Sequence, residues 1–237
     1  MDINLSQLKE VLVGQKDRNS IIANNLANLN THGFKRDILF AETLAGELDK
    51  NIKLIQQTDF TQGQLKETNN PMDLALSGPG FFTLETENGL AYTRDGHFKT
   101  DAEGILRNSA GYPVLGTSGW ISVLKDGFPP KSLEIAESGE IYVNGELYDR
   151  LLITDFESYE NLKKAGENMF VADEKAVAFE TDTAQIHQGF LEDSNVNPVK
   201  EMIELIELER QFESVQRMVR ALDDTFRLAV NQVGQYR

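Results

Sequence analysis

Apolar residues near both ends of the chain recur at alternating steps of three and four positions. In the first segment, the positions of this repeat are Leu5, Leu8, Leu12, Gln15, Asn19, Ile22, Leu26 and Leu29. In the last segment, they are Leu205, Leu208, Phe212, Val215, Val219, Leu222, Phe226, Ala229 and Val233. Such an alternation is typical of helices that pack along an a/d seam, so the pattern predicts one long helix at each end.

The repeat alone leaves the partner of each helix open. The two helices could pair with each other within one subunit, or they could join a bundle formed by several chains. Gln15 and Asn19 slightly favour the bundle, because polar residues at seam positions cost stability but fix register and the number of partners. Asn197 followed by Pro198 predicts the start of the last helix, since these residues are favoured at the N-cap and at the first helical position.

The predicted first helix ends in a segment rich in asparagine, a mediocre helix former. Five asparagines lie within 12 residues, at positions 19, 24, 25, 28 and 30. One interpretation is that their amides are buried against other chains and hydrogen-bonded there, and the alternative is a frayed polar helix end. Gly33 follows Thr31-His32 and is predicted to cap the helix in the left-handed conformation.

The middle of the chain changes to short strand-like runs separated by turn residues. Residues 81–84, 90–93 and 140–143 form such runs, and Asn-Gly and Asp-Gly pairs follow them, which are strong hairpin signals. The sequence therefore predicts an α+β protein with a central all-β domain flanked by long N- and C-terminal helices. The predicted segments are an N-terminal helix (1–36), an extended or partly helical connector (37–70), the β domain (71–190) and a C-terminal helix (191–237).

Charge and composition exclude several classes of function. The 237 residues carry a net charge of −15, and residues 37–190 alone carry 12 bases and 26 acids, which disfavours nucleic acid as a partner. The chain has no cysteine, and its three histidines lack metal-ligand spacing, so we expect no metal site and no cofactor. No apolar run is long enough for a membrane span, and the N-terminus does not resemble a secretory signal. On those grounds alone, we would expect a cytoplasmic protein.

Candidate catalytic groups are few. Gly78-Pro79-Gly80 lacks the third glycine and the strand–helix context of a nucleotide-binding loop, and is interpreted as a turn. Asp95 and His97 could form a base and its orienting acid, but no serine or cysteine motif accompanies them, so a hairpin feature is the favoured interpretation. A glycosidase-like pair of carboxylates has no distinguishing signal among so many acids. We therefore expect no enzymatic activity.

Three motifs in colinear order cover nearly the whole chain. The N-terminal motif is Asn24-Asn25-Leu26-Ala27-Asn28, followed by Thr31 and Gly33-Phe34-Lys35-Arg36. The central motifs are Met72-Asp73-Leu74-Ala75-Leu76, Gly78-Pro79-Gly80-Phe81-Phe82 and Tyr92-Thr93-Arg94. The C-terminal block is Gly189-Phe190-Leu191-Glu192, Ser194-Asn195-Val196-Asn197-Pro198-Val199, Glu201-Met202 and Arg210-Gln211-Phe212-Glu213. Together they resemble the bacterial flagellar basal-body rod and hook proteins.

The resemblance implies a non-enzymatic axial protein whose terminal helices pack as a coiled-coil bundle in the assembly, with the β domain facing outward. It implies export through the flagellar type III apparatus and assembly in the periplasm, which overrules the cytoplasmic expectation. The implied partners are further copies, other rod proteins and the surrounding ring proteins, without membrane insertion. The residues that the resemblance assigns to the assembly interface are Leu5, Leu8, Leu12, Ile22, Asn24, Asn25, Leu26, Asn28, Gly33, Phe34, Ser194, Asn195, Asn197, Leu205, Leu208, Phe212, Val215, Leu222 and Phe226.

Within the family, the length of one segment favours a proximal rod protein over a distal one. Only residues 37–60 separate Arg36 from Thr61-Gln62-Gly63, whereas distal rod proteins typically carry a longer insertion there. The resemblance thus implies a structural subunit of the drive shaft that transmits motor torque to hook and filament. The alternatives are a distal rod protein and, outside the family, a β-domain binding protein with coiled-coil ends.

Overall fold

The computed structural model describes residues 5–43, 52–124 and 132–234. Its helices are α1 (Leu5–Ala27) and α2 (Pro198–Gly234), with one 3-10 turn at Tyr159–Asn161. The strands are β1 (Asp37–Thr43), β2 (Ile52–Thr58), β3 (Leu65–Glu67), β4 (Leu74–Ser77), β5 (Phe81–Thr86), β6 (Gly89–Thr93), β7 (Lys99–Thr100), β8 (Leu106–Arg107), β9 (Leu115–Gly116), β10 (Gly119–Trp120), β11 (Leu133–Ile135), β12 (Glu140–Val143), β13 (Glu146–Arg150), β14 (Ile153–Phe156), β15 (Leu162–Gly166), β16 (Met169–Ala172), β17 (Ala178–Glu180), β18 (Gln185–Gln188) and β19 (Phe190–Glu192). The predicted α+β class is confirmed.

The chain divides into two compact units. The first, called the helical unit, comprises residues 1–27, 37–56 and 197–237. The second, called the β unit, comprises residues 28–36 and 57–196. This division differs from the four predicted segments, because residues 28–36 and 57–70 belong with the β unit.

In the helical unit, α1 packs against α2 of the same chain. Ile22 and Leu208, both seam positions of the predicted repeats, are 2% and 5% exposed. Arg18 and Glu204 face each other across the pair, with 3.7 Å between Nη2 and Oε2. Of the two arrangements that the repeat left open, this structure therefore contains the pair within one subunit.

The start of α2 confirms the predicted N-cap. Asn197 Oδ1 accepts a hydrogen bond from the Lys200 N–H at 3.1 Å, and Pro198 is the first helical residue. Strands β1 and β2 pair in a two-stranded sheet, and β1 and residues 52–56 of β2 belong to the helical unit. The described part of the predicted connector is therefore extended and contains no helix.

The β unit is built around an antiparallel six-stranded sheet in the order β15-β16-β6-β5-β14-β17. Because side chains alternate along a strand, the two faces of this sheet bury different sets of residues. Phe82 and Leu84 join the larger core, while Phe81, Tyr92 and Phe170 join a second, aromatic core on the other face. Both faces of the sheet are therefore covered within one chain.

Smaller sheets attach the rest of the β unit to this framework. A three-stranded sheet has the order β11-β12-β13, and its β12–β13 turn contains Asn144 and Gly145 at positive φ, which confirms the hairpin predicted there. Two pairs join distant parts of the chain, since β18 pairs with β4 and β19 pairs with β3. These pairs bring residues 185–192 against residues 65–77, which explains why the β unit begins before the predicted boundary at residue 71.

Candidate functional site

Residues 28–36 carry most of the N-terminal motif, and they lie in the β unit. Helix α1 ends at Ala27, before the last predicted seam position, and Gly33 has a φ of 67°. A Cβ atom on Gly33 would lie 2.4 Å from the backbone carbon of Arg94, and the Gly33 N–H donates to the Glu192 carbonyl at 2.6 Å. The predicted left-handed conformation of Gly33 is therefore confirmed, but the residue does not cap α1, and glycine is required here both by its positive φ and by the close approach of residues 94–95.

The charged residues of three motifs meet in a buried ion cluster formed by Lys35, Glu192 and Arg94. Lys35 Nζ donates to Glu192 Oε1 at 2.6 Å and to the Thr61 carbonyl at 2.8 Å. Arg94 Nη1 lies 3.4 Å from Glu192 Oε2, and Nη2 donates to the Gly78 carbonyl at 2.7 Å. The side chains of Lys35 and Glu192 are 1% exposed and that of Arg94 is 5% exposed.

Burial governs the electrostatics of this ion cluster. Desolvation lowers the pKa of Lys35 below its ordinary value, while the adjacent Glu192 carboxylate acts in the opposite direction. A buried charge is tolerated only when it is paired and hydrogen-bonded. The three side chains therefore depend on one another, and none of them is available to a partner molecule.

The Thr61-Gln62-Gly63 segment and Asn195 surround the ion cluster with backbone contacts. The Gly63 N–H donates to Glu192 Oε1 at 2.8 Å, and a Cβ at this glycine would lie 1.9 Å from the Asp193 carbonyl oxygen. Asn195 accepts from the Arg36 N–H at 2.7 Å and donates to the Asp59 carbonyl at 2.8 Å. Asn195 thus joins the N-terminal and C-terminal motifs within one chain.

Two further predicted interface residues also have contacts within the β unit. Phe34 is buried, and Lys164 Nζ lies 4.3 Å from the centroid of its ring. Ser194 is half-buried, and its hydroxyl accepts from the Val196 N–H at 3.3 Å. The contacts of Phe34 and Ser194 thus lie within one chain.

In the helical unit, Asn25 is the buried member of the asparagine-rich segment. Its Nδ2 donates to the Asp37 carbonyl at 2.9 Å and to Glu201 Oε2 at 3.3 Å, and its Oδ1 accepts from the Asp37 N–H at 2.9 Å. The amide is thus buried as predicted, and the partners that bury it in this structure, Asp37 and Glu201, belong to its own chain. Asn24 is exposed and Asn28 is half-buried.

The remaining predicted interface residues differ in exposure. Leu12, Leu26, Leu205 and Val215 are half-buried, Asn197 is exposed, and Phe212 is 42% exposed. Leu5, Leu8, Leu222 and Phe226 lie in the helices, but their side chains are outside the described residues. Assignment of this set to an assembly interface therefore remains a prediction.

Helix α2 also carries an apolar row that the seam analysis missed. The row consists of Val199, Met202, Ile203 and Ile206, whose side chains are 49–63% exposed. Their spacing of three, four and seven is that of one helix face, so a search for a second stripe beside the first would have found them. This row remains exposed although α1 packs against α2.

The Asp95–His97 pair does not form a catalytic dyad. Asp95 Oδ1 accepts from the backbone N–H of His97 at 3.0 Å, whereas the His97 ring lies 2.8 Å from Asp73 Oδ1. The hairpin predicted at Asp95-Gly96 is wrong as well, because β6 pairs with β5 and β16 while β7 pairs with β8, so these residues form a loop between strands of different sheets. Among the described residues, no group of three or more histidine or acidic side chains is placed to hold a metal ion, and no helix is both long and apolar enough to cross a membrane.

Comparison with known proteins assigns the family. Three family models match: flagella basal body rod protein (residues 15–35), flagellar hook protein FlgE/F/G D1 domain (75–143) and flagellar basal body rod FlgEFG protein C-terminal (187–232). The chain is 35% identical to flagellar basal-body rod protein FlgF of Caulobacter vibrioides, with 91% of each chain covered. It is 32% identical to FlgF of Mesorhizobium japonicum, with 90% of each covered.

Relatives named FlgG match as well, but with a different alignment length. FlgG of Buchnera aphidicola subsp. Schizaphis graminum is 28% identical and covers 91% of this chain and 94% of its own. That alignment spans 252 positions, against 225 for the Caulobacter FlgF, although both cover the same share of this chain. The alignment with FlgG therefore contains more positions at which this chain has a gap than the alignment with FlgF does. Similarity over about nine-tenths of the chain and three colinear family matches place the chain in the family of bacterial flagellar basal-body rod proteins.

Proposed function

We propose that this chain is a structural subunit of the proximal part of the flagellar basal-body rod. The observation that carries the proposal is the near full-length similarity to rod proteins named FlgF, with fewer gaps than the alignment to FlgG. The short segment between Arg36 and Thr61 supports the same assignment. The second candidate is a distal rod protein, which the similarity to FlgG relatives supports.

Assembly in this proposal uses the helical unit. The exposed α2 row of Val199, Met202, Ile203 and Ile206, together with the exposed Phe212, supplies apolar surface that remains after α1 and α2 have paired. Apolar surface of this kind is typical of protein–protein contacts. The partners are further copies and other rod proteins, and the assembled helices form the coiled-coil bundle of a shaft that transmits torque.

The acidic β unit faces outward in this proposal, towards the ring proteins that surround the rod. The subunit reaches the periplasm through the flagellar type III export apparatus. No enzymatic step is needed for this role, and the buried ion cluster supports it by holding the motif segments in one fixed arrangement.

Electron microscopy of basal bodies from a strain that lacks the gene tests the function. We expect rings without a complete rod, hook or filament, arrested before the distal rod is added. Arrest after a complete proximal rod would assign the chain to the distal rod instead. Normal flagella in a strain without a second copy of the gene would overturn the proposal.

A point substitution tests the proposed surface. Phe212→Asp should abolish rod assembly in the complemented strain while the purified chain keeps its fold, because Phe212 is already 42% exposed. Ser214→Asp is the matched control, since it adds the same charge at an exposed position nearby on α2. Assembly that survives Phe212→Asp would remove this residue from the interface.

A further inference from the structure

The single tryptophan of the chain lies on the surface of the β unit. Trp120 is on β10 and is 55% exposed, and Leu90 on β6 is 48% exposed. Large apolar side chains are costly to leave in water, and tryptophan is strongly enriched among residues that dominate binding energy. These two side chains are therefore candidates for contact with another protein.

The surrounding strands hold this pair in a fixed position. The Trp120 indole N–H donates to the Glu85 carboxylate, and Glu85 lies directly opposite Leu90 in the β5–β6 ladder. Directly opposite residues share one face of a sheet, with Cβ atoms about 5 Å apart, so the three side chains are neighbours. Within the turn, the Thr86 hydroxyl donates to the Gly89 carbonyl at 2.8 Å. A surface that is already ordered loses less entropy on binding.

The charge around the pair indicates the kind of partner. Glu85 adjoins Trp120, and Glu87 lies exposed in the turn of the same hairpin. A second copy of this chain, with a net charge of −15, would bring mostly like charge towards these acids. Lysine and arginine at the rim of a partner's pocket would complement them.

We propose that Trp120 and Leu90 anchor a docking surface for a different protein, whose pocket is lined by aliphatic side chains and bordered by lysine and arginine. The tryptophan ring and Leu90 fill the pocket, and Glu85 and Glu87 face its basic rim. This surface is separate from the helical contacts of the proposed function, and it does not depend on whether the subunit is proximal or distal.

Photo-crosslinking in flagellated cells tests the docking surface. The full chain with p-benzoylphenylalanine in place of Trp120 should crosslink to another basal-body protein, at a peptide that mass spectrometry maps beside basic residues. The same amino acid in place of Phe179, which is 44% exposed on β17, is the control and should not give that product. Crosslinks to another copy of this chain only, or no crosslink in cells with normal flagella, would overturn the proposal.

Two further measurements separate charge from apolar contact. Glu85→Gln with Glu87→Gln should reduce the crosslink yield by about threefold to tenfold, because rim charges steer association. Glutamine at position 85 keeps an acceptor for the indole, so the fold is preserved.

In the purified chain, the Trp120 fluorescence emission maximum should not shift with protein concentration. A blue shift that Leu90→Ser abolishes would identify a second copy as the occupant and contradict the proposal.

Discussion

The β unit and the helical unit differ in how much of their apolar surface one chain can bury. The β unit covers both faces of its main sheet and pairs its buried charges internally. Among the described residues of the helical unit, Ile22 and Leu208 are the only apolar side chains that are fully buried, while α2 exposes the row from Val199 to Ile206. The main sheet of the β unit is thus covered on both faces within one chain, whereas α2 leaves an apolar row exposed that we propose other chains cover.

A substitution in the ion cluster of the β unit should give the largest loss of stability. Lys35→Met should lower the free energy of unfolding of the β unit by about 3–5 kcal/mol, because it leaves the Glu192 carboxylate buried without its main partner. Urea denaturation followed by near-UV circular dichroism measures the change. Lys163→Met is the matched control, since Lys163 forms a 2.7 Å ion pair with Asp173 while 73% exposed, and its loss should cost less than about 1 kcal/mol. Equal losses in both variants would mean that burial does not set the strength of the Lys35 pair.

Loss of packing between the two helices should have a smaller effect that is confined to the helical unit. Leu208→Ala should destabilise this unit by about 2–3 kcal/mol, because it removes a buried side chain from the α1–α2 contact. The loss should appear as a lower melting temperature of the helical signal at 222 nm, with unchanged near-UV signal from the β unit. Ile206→Ala, at a 49% exposed position, should change stability by less than about 0.5 kcal/mol. If Leu208→Ala also unfolded the β unit, the two units would not be independent.

Removal of the Asn25 amide tests how much its hydrogen bonds from α1 to β1 and α2 stabilise the helical unit. Asn25→Leu leaves the Asp37 N–H and carbonyl without their side-chain partner, which should cost about 1–3 kcal/mol. Hydrogen exchange at the Asp37 amide should accelerate in this variant. Asn24→Leu, at an exposed position on the same helix, should leave that exchange rate nearly unchanged. An unchanged rate in Asn25→Leu would show that Asp37 is protected by other contacts.

Local patterns in the sequence predict the helices, the hairpins at Asn88-Gly89 and Asn144-Gly145 and the burial of Asn25, because each depends on residues that are close along the chain, whereas the Asp95-Gly96 pair does not form the hairpin predicted there. The ion cluster was not predictable in this way, since Lys35 and Glu192 are 157 positions apart and meet only after β19 pairs with β3. The same limit applies to Gly33, since local sequence predicts its left-handed conformation but not its contact with residues 94–95, which are distant in sequence. The seam repeat gave correct helices, but it could not tell contact within one chain from contact between chains.

The smallest expected change in stability depends on pH and comes from Asp95 in the β unit. Burial raises the pKa of Asp95 above its ordinary value, opposed by its bond from the His97 N–H and by the charges of His32 and His97. The ionised carboxylate therefore destabilises the folded state at neutral pH, and this cost disappears as the pH falls towards the unfolded pKa. Asp95→Asn, which keeps an oxygen to accept from His97, should raise the melting temperature at pH 7 by roughly 2 °C and should have no effect near pH 3.

Asp101→Asn is the control with the opposite sign. The hydrogen bond from Arg107 lowers the pKa of Asp101, so this carboxylate stabilises the folded state at neutral pH and loses that contribution on acidification. The Asp101→Asn variant should melt slightly below the parent chain at pH 7, and the difference should shrink as the pH falls. Thermal melts of the three proteins between pH 3 and pH 7 therefore give two difference curves of opposite sign. Curves of the same sign would mean that Asp95 is as well solvated or paired as Asp101, and that the β unit carries no uncompensated buried charge at this turn.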